Sequence, residues 1–402
     1  MMRAKKLLVT LLCLSLLAAC NLPAASETPT TTAATATPLP SSPTSPPTAT
    51  TEPCIPSGSQ DQINAALSGP NREAVLCQGA VFELTAPVII NAAGQKIYTQ
   101  GLPTDDRRAT LRVVGPEVTT AVIMRDFDNA MLSNLIVDGN RQALGQRSGD
   151  ALIYAGGYSS GQIIRNLKVL EPRSWSALHL IEGVPSQPCS NALVEDNEIG
   201  PAGSSANTWA DGISLACTNS TVRNNLIVDA TDGGIVVFGA PGSVIEGNTI
   251  RAETRTLLGG INLVDFAPYD GNFTGTMVRN NLIEANGAVI RIGLGMGIHV
   301  WGCQPAETKT LYGATVTGNT LRGTKMQYGF AVDGVRDWTV TGNVDEATHT
   351  GAPSVDCGGV VASQPAGFQY NPNRAQGTFQ PEFASARLEL ALWAIVAPKP
   401  GE

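Results

Sequence analysis

From residue 131 onward the chain repeats one phrase: a short apolar run, an Asn, then a second apolar run. It reads MLSNLIV, IIRNLKV, VEDNEI, VRNNLI, IEGNTI, VRNNLI, VTGNTL and VTGNV. The recurring residues are Asn134, Asn166, Asn197, Asn225, Asn248, Asn281, Asn319 and Asn343, spaced 32, 31, 28, 23, 33, 38 and 24 positions apart. The shortest spacings suit a bare coil of three short strands and three turns, and the longer ones add loops. Such a period marks a solenoid, in which each unit buries its apolar face only against its neighbours. An Asn at a bend can bond both the turn backbone and the Asn of the next coil, stacked at about 4.8 Å. The Asn row therefore predicts a structural ladder, not a catalytic set.

A second strand follows in each coil: ALIYAGG, ALHLIEG, GISLAC, GIVVFG, GINLVDF, GIHVWGC and GFAVDGV. Alternation with period two assigns its faces. One inward row is Leu152, Leu178, Ile213, Ile235, Ile261, Ile298 and Phe330, and the next is Tyr154, Leu180, Leu215, Val237, Leu263, Val300 and Val332. The outward rows are then Ile153, His179, Ser214, Val236, Asn262, His299 and Ala331, beside Ala155, Ile181, Ala216, Phe238, Val264, Trp301 and Asp333.

This pattern resembles the right-handed parallel β-helix proteins of the pectate lyase-like superfamily over roughly residues 60–360. The resemblance implies an all-β, single-stranded right-handed parallel β-helix, in a superfamily that holds lyases, hydrolases, epimerases and non-catalytic adhesins. The segment DQINAALSGP predicts a short helix over the open end of the first coil, and the helical periodicity of 381–396 predicts a cover at the other end.

The ends of the chain differ from this middle. Residues 1–20 have a basic start, an apolar run and the ending Leu17-Ala18-Ala19-Cys20, which resembles the bacterial lipobox. In that family Cys20 would carry the lipid. Residues 21–53 are almost only Thr, Pro, Ser and Ala, a disordered or extended tether. The expected organisation is thus 1–20 signal peptide, 21–53 linker, 54–363 β-helix and 364–402 a C-terminal extension with a capping helix. The protein would be extracytoplasmic, held to the membrane through its lipid alone, and monomeric. Beyond Cys13 and Cys20, six cysteines remain, an even number that favours disulfides in an oxidising compartment. The expected pairing is sequential: Cys54–Cys77, Cys189–Cys217 and Cys303–Cys357.

Charge narrows the partners. Lys and Arg number 26 against 34 acids; without Arg3, Lys5 and Lys6 the balance is 23 to 34, or −11. An acidic surface excludes nucleic acid as the main partner. Glycan is the expected partner, since outward His179, Asn262, His299 and Trp301 suit stacking on, and hydrogen bonding to, sugar rings.

Asp211 and Asp232 fall on adjacent coils just before the second strand, on the scale of the paired carboxylates of glycoside hydrolysis. They equally suit Ca²⁺, although no cofactor is required. WADGI followed by DATDGGI resembles part of the polygalacturonase-like hydrolase pattern; Asp211 and Asp232 match two of its acids, and Gly233 stands at the third. A lyase would need a base, His179 or His299, and a cation for a uronate carboxylate: Arg173, Arg251, Arg255 or, best placed, Arg291. The residues thus nominate Asp211, Asp232 and His299 as catalytic and His179, Asn262, Arg291 and Trp301 as substrate-binding. Three readings stay open: a polysaccharide hydrolase or lyase, a non-catalytic carbohydrate-binding or adhesive protein, and a structural envelope protein.

Overall fold

The structure, a computed structural model, describes residues 53–184, 186–204, 208–300, 309–351 and 367–385. Cys20, the expected leader 1–20 and residues 21–52 lie outside the described residues, as do Trp301, Cys303, Cys357 and the tail beyond 385.

Each coil contributes three short strands in the order A, B, C. Row A runs from Glu73–Leu76 through Ile163–Arg165 and Thr221–Arg223 to Ala375–Phe379, every pairing parallel. Row B includes Leu226–Val228, Thr249–Arg251 and Leu282–Ala285. Row C includes Ile153–Gly156, Ser176–Ile181, Asp211–Leu215, Gly233–Val237, Leu257–Leu263 and Ile290–Met296. The strand Thr320–Val332 runs from row B into row C and joins them in one sheet. Phe368–Tyr370 and Ala375–Phe379 still pair with the coil before them, so the solenoid continues past the expected boundary at 363.

The N-terminal helix is present as Gln60–Ala66. Ser59 and Gln62 form its capping box, and Ile63 and Leu67 are buried in the first coil. The end near 381 begins as a 3-10 helix, Pro381–Ser385. Cys54–Cys77 and Cys189–Cys217 are disulfides, as the sequential pairing predicts.

The inward column of row C is Ile153, Leu178, Ile213, Ile235, Ile261, Leu294 and Phe330. Each such aliphatic contributes roughly 1.5–3 kcal/mol by burial. Two coils differ from the alternation read in the sequence. Ile153, not Leu152, stands opposite Leu178, so Tyr154 turns outward and Ala155 inward. In the sixth coil of that series the strand is Ile290–Met296, so Leu294 and Met296 replace Ile298 and Val300. Row C bends at Gly212, Gly234 and Gly260, where a Cβ would lie 2.4–2.6 Å from a carbonyl oxygen of the next coil.

The Asn ladder exists, but with six of the eight residues. Asn225 donates from Nδ2 to Asn248 Oδ1 (2.9 Å) and to Val194 O (3.1 Å), and its own amide donates to Asn248 Oδ1 (3.0 Å). The same motif links Asn197, Asn225, Asn248, Asn281, Asn319 and Asn343, and ends on Gln380. Asn134 and Asn166 stand one position earlier, at the left-handed residue of the turn (φ 52° and 53°). Gly247, Gly318, Asn224 and Asn280 fill that position in other coils. The bend thus has two posts, one for a residue tolerant of positive φ and one for the ladder.

Charged residues pair across coils on the outer surface. In row A the register Arg165, Glu195, Arg223, Glu246, Arg279 alternates in sign, with Arg223–Glu195 and Arg279–Glu246 both at 2.6 Å. Row B does the same with Arg251, Glu284, Arg322 and Glu346.

Candidate glycan-binding face

The outer face of row C brings together most of the nominated residues. His179 stands in register with Tyr154 on one side and Ser214 on the other, followed by Val236, Asn262 and Gly295. Trp175 meets His179 edge-on at 4.8 Å between ring centroids. Tyr154 lies at 6.0 Å and Phe238 at 6.3 Å. Trp175 keeps 36% of its surface exposed in this wall of rings. Burial among them pushes the His179 imidazole down to about 4, so it is neutral at physiological pH. Arg125 sits over Tyr154, with its guanidinium 5.4 Å from the ring centroid, and pairs with Asp126 at 2.8 Å.

Next to this wall lies a buried polar cluster. Asp211 is 3% exposed. It accepts from the Ser214 hydroxyl (2.8 Å) and from the Gly233 amide (2.9 Å). Ser214 and Ser176 hydroxyls are 2.9 Å apart. Asn262, two coils beyond Asp211, folds back over Gly259, where a Cβ would fall 2.0 Å from its Oδ1. A Cβ on Gly233 would lie 3.1 Å from Asn262 Nδ2 and 3.2 Å from Asp211 Oδ1. The two glycines therefore make room for the acid and the amide, which explains Gly233 at the third acid position. Asn262 Oδ1 and Trp209 Nε1 are buried and have no hydrogen-bond partner.

Asp232 is half-buried on the following coil, its amide bonded to Ala210 O (3.1 Å). The Ser214 hydroxyl and Gly233 amide present hydrogens to Asp211, and among the described residues no group of three or more His, Cys, Asp or Glu side chains is placed to hold a metal ion. Arg291 is half-buried, its guanidinium 6.0 Å from the Trp209 ring. The Trp209 loop is fixed at its base: Arg141 and Arg255 both donate to Gly203 O and both pair with buried Glu171. Burial alone would raise the Glu171 carboxyl, but hydrogen bonds from Arg255 and Gln142 and the Arg141 charge hold it below the usual range.

Several nominations are corrected. His299 is not on the sheet; it follows the strand in a turn, 2% exposed, its amide bonded to Asp333 O, while Gly295 takes its expected place in the row. Asp333 itself is fully buried against Arg374 at 2.6 Å. Arg173 is spent on main-chain carbonyls, among them Val118 O (2.8 Å) and Gly145 O (2.9 Å). Arg251 pairs with Glu284 and Arg255 with Glu171. Trp175, Tyr154 and Trp209, absent from the sequence nominations, belong to the face.

Residues 120–345 match the family described as the right handed beta helix region, and the chain belongs to that family. No curated protein sequence matches it. Among solved structures it is similar to the tailspike protein of E. coli bacteriophage HK620 in complex with a pentasaccharide: 12% identity, 81% of this chain, 65% of that one, TM-score 0.50. It is also similar to an alginate lyase from Paenibacillus sp. (16% identity, 73% and 98% of the two chains, TM-score 0.46). A third is PfbA, a surface adhesin of Streptococcus pneumoniae (12% identity, 76% and 90%, TM-score 0.45). At such identities the likeness bears on the fold alone.

Proposed function

We propose that this protein binds a polysaccharide or cell-surface glycan on the outer face of row C, outside the cytoplasm. The observation that carries this reading is the half-open aromatic wall of Trp175, His179, Tyr154 and Phe238 beside the Ser214–Asp211–Asn262 cluster. Sugar rings present apolar C–H faces and a rim of hydroxyls, and rings beside amide and hydroxyl groups match both. The pentasaccharide held by the similarly folded tailspike is in keeping with it. Affinity electrophoresis through soluble polysaccharides tests it: Trp175→Ala should lose at least tenfold in retention with circular dichroism unchanged. Retention that survives both Trp175→Ala and His179→Ala would overturn it.

Cleavage of that glycan is the second reading, favoured by the oriented Asp211 carboxylate with Asp232 on the next coil. Reducing-sugar release and the absorbance of unsaturated uronides separate hydrolase from lyase. Turnover should vanish in Asp211→Asn with Asp232→Asn, and turnover unaffected by both moves the chemistry elsewhere.

Two disulfides support an oxidising compartment. Lipidation of Cys20, with residues 21–53 as tether, completes the proposal. Labelled palmitate should enter the wild type and not Cys20→Ser.

A further inference from the structure

The cations around this face are already committed inside the protein. Arg125 is held by Asp126 and the Tyr154 hydroxyl, at 2.8 and 3.2 Å. Arg173 is turned to carbonyls, and Arg141 and Arg255 share Glu171. Arg251 is neutralised by Glu284, and Arg291 is engaged as well. His179 adds no charge above about pH 4. The acids Asp150, Asp211 and Asp232 lie at the start of the row C strands, and the chain beyond the leader is acidic by 11 charges. An anionic sugar would enter a field of its own sign, and each of the cations named above already has a partner. Of the buried polar atoms without hydrogen-bond partners, the two named beside this face, Asn262 Oδ1 and Trp209 Nε1, are a neutral acceptor and a neutral donor. Neither carries a charge that would attract a carboxylate.

Resting on the glycan-binding reading, we infer that the ligand is a neutral glycan, recognised by ring stacking and hydroxyl hydrogen bonds, and that uronic-acid polymers are disfavoured. The lyase route, which needs a uronate carboxylate held by a cation, loses its substrate on this face. The test is retention of the protein on xyloglucan, galactomannan and dextran against polygalacturonate and alginate, at 20 and 500 mM NaCl. At least one neutral polymer should retain it, with affinity constant within about twofold across the salt range and at least tenfold above either uronate at low salt. Tighter binding to a uronate polymer, lost as salt rises, overturns the inference but leaves glycan binding standing. Retention on neither class overturns the glycan-binding reading itself.

Discussion

Asn248 and Asn166 look alike in the sequence and should behave differently when replaced. Asn248 is fully buried; its Oδ1 accepts from the Asn225 amide and side chain, and its Nδ2 donates to Val222 O and Asn281 Oδ1, all at 2.9–3.0 Å. Asn248→Ala strips the Asn225 amide and Val222 carbonyl of these partners inside a dry stack. At about 1–3 kcal/mol for each of these two buried polar groups left without a partner, the cost is roughly 2–6 kcal/mol. Asn166 holds only a left-handed backbone position at φ 53°. Asn166→Ala should cost about 1–2 kcal/mol of backbone strain, and Asn166→Gly almost nothing. Asn248→Gly restores no bond and should be as damaging as Asn248→Ala. Urea midpoints for the four variants measure the difference. Hydrogen exchange at the Asn225 amide reads it locally, which guards against coil-by-coil unfolding. Asn166→Gly as harmful as Asn248→Ala, or Asn248→Ala costing under about 1 kcal/mol, refutes the two-post account of the bend.

His179, ordinarily near 6.5 and lowered to about 4, binds its proton in the unfolded chain first, so stability should fall as pH drops from about 6.5 to 4. The loss is at most roughly 3.5 kcal/mol, at about 1.4 kcal/mol per pH unit; His179→Gln should flatten this part of the pH–stability curve, and an unchanged slope speaks against a buried neutral imidazole. Cys189→Ser with Cys217→Ser opens a 28-residue loop and should lower stability by about 3–4 kcal/mol, read as a drop in Tm. Glu171→Ala leaves Arg141 and Arg255 buried side by side and should cost roughly 3–5 kcal/mol, with a shift in Trp209 fluorescence that Glu171→Gln, which keeps an acceptor, largely avoids. Equal fluorescence shifts in both variants would mean that the clamp does not hold the Trp209 loop.

The solenoid was legible because its cause is written in every coil: apolar alternation and a recurring Asn. The local slips have equally local causes. IRIGLGMGIHV holds two overlapping alternating runs, and only pairing with Leu257–Leu263 and Thr320–Val332 selects Ile290–Met296 as the strand. That choice removed His299 from the face. In ALIYAGG, Leu152 and Ile153 are both buried at the bend, so alternation could not tell which stands opposite Leu178, and Tyr154 was turned inward. The alternation placed Asp211 just before the second strand, whereas Asp211 opens that strand and accepts from the amide of Gly233 on the next coil. Trp175 and Trp209 lie just outside the repeating phrase, so nothing periodic marked them. Cation partners such as Glu171 for Arg255, 84 residues apart, are set by coil stacking and leave no trace in local sequence.

The alternating charges on rows A and B have a consequence for how such a chain can grow or shrink. Excising the single coil 244–276 would bring Arg223 against Arg279, and excising 277–314 would bring Arg251 against Arg322. Removing both together sets Arg223 beside Thr317 and Val228 beside Arg322, with no like charges in contact. The columns thus impose a parity on the solenoid. Duplication or deletion of coils in pairs should therefore cost less than in ones, and an engineer lengthening this scaffold should add coils two at a time.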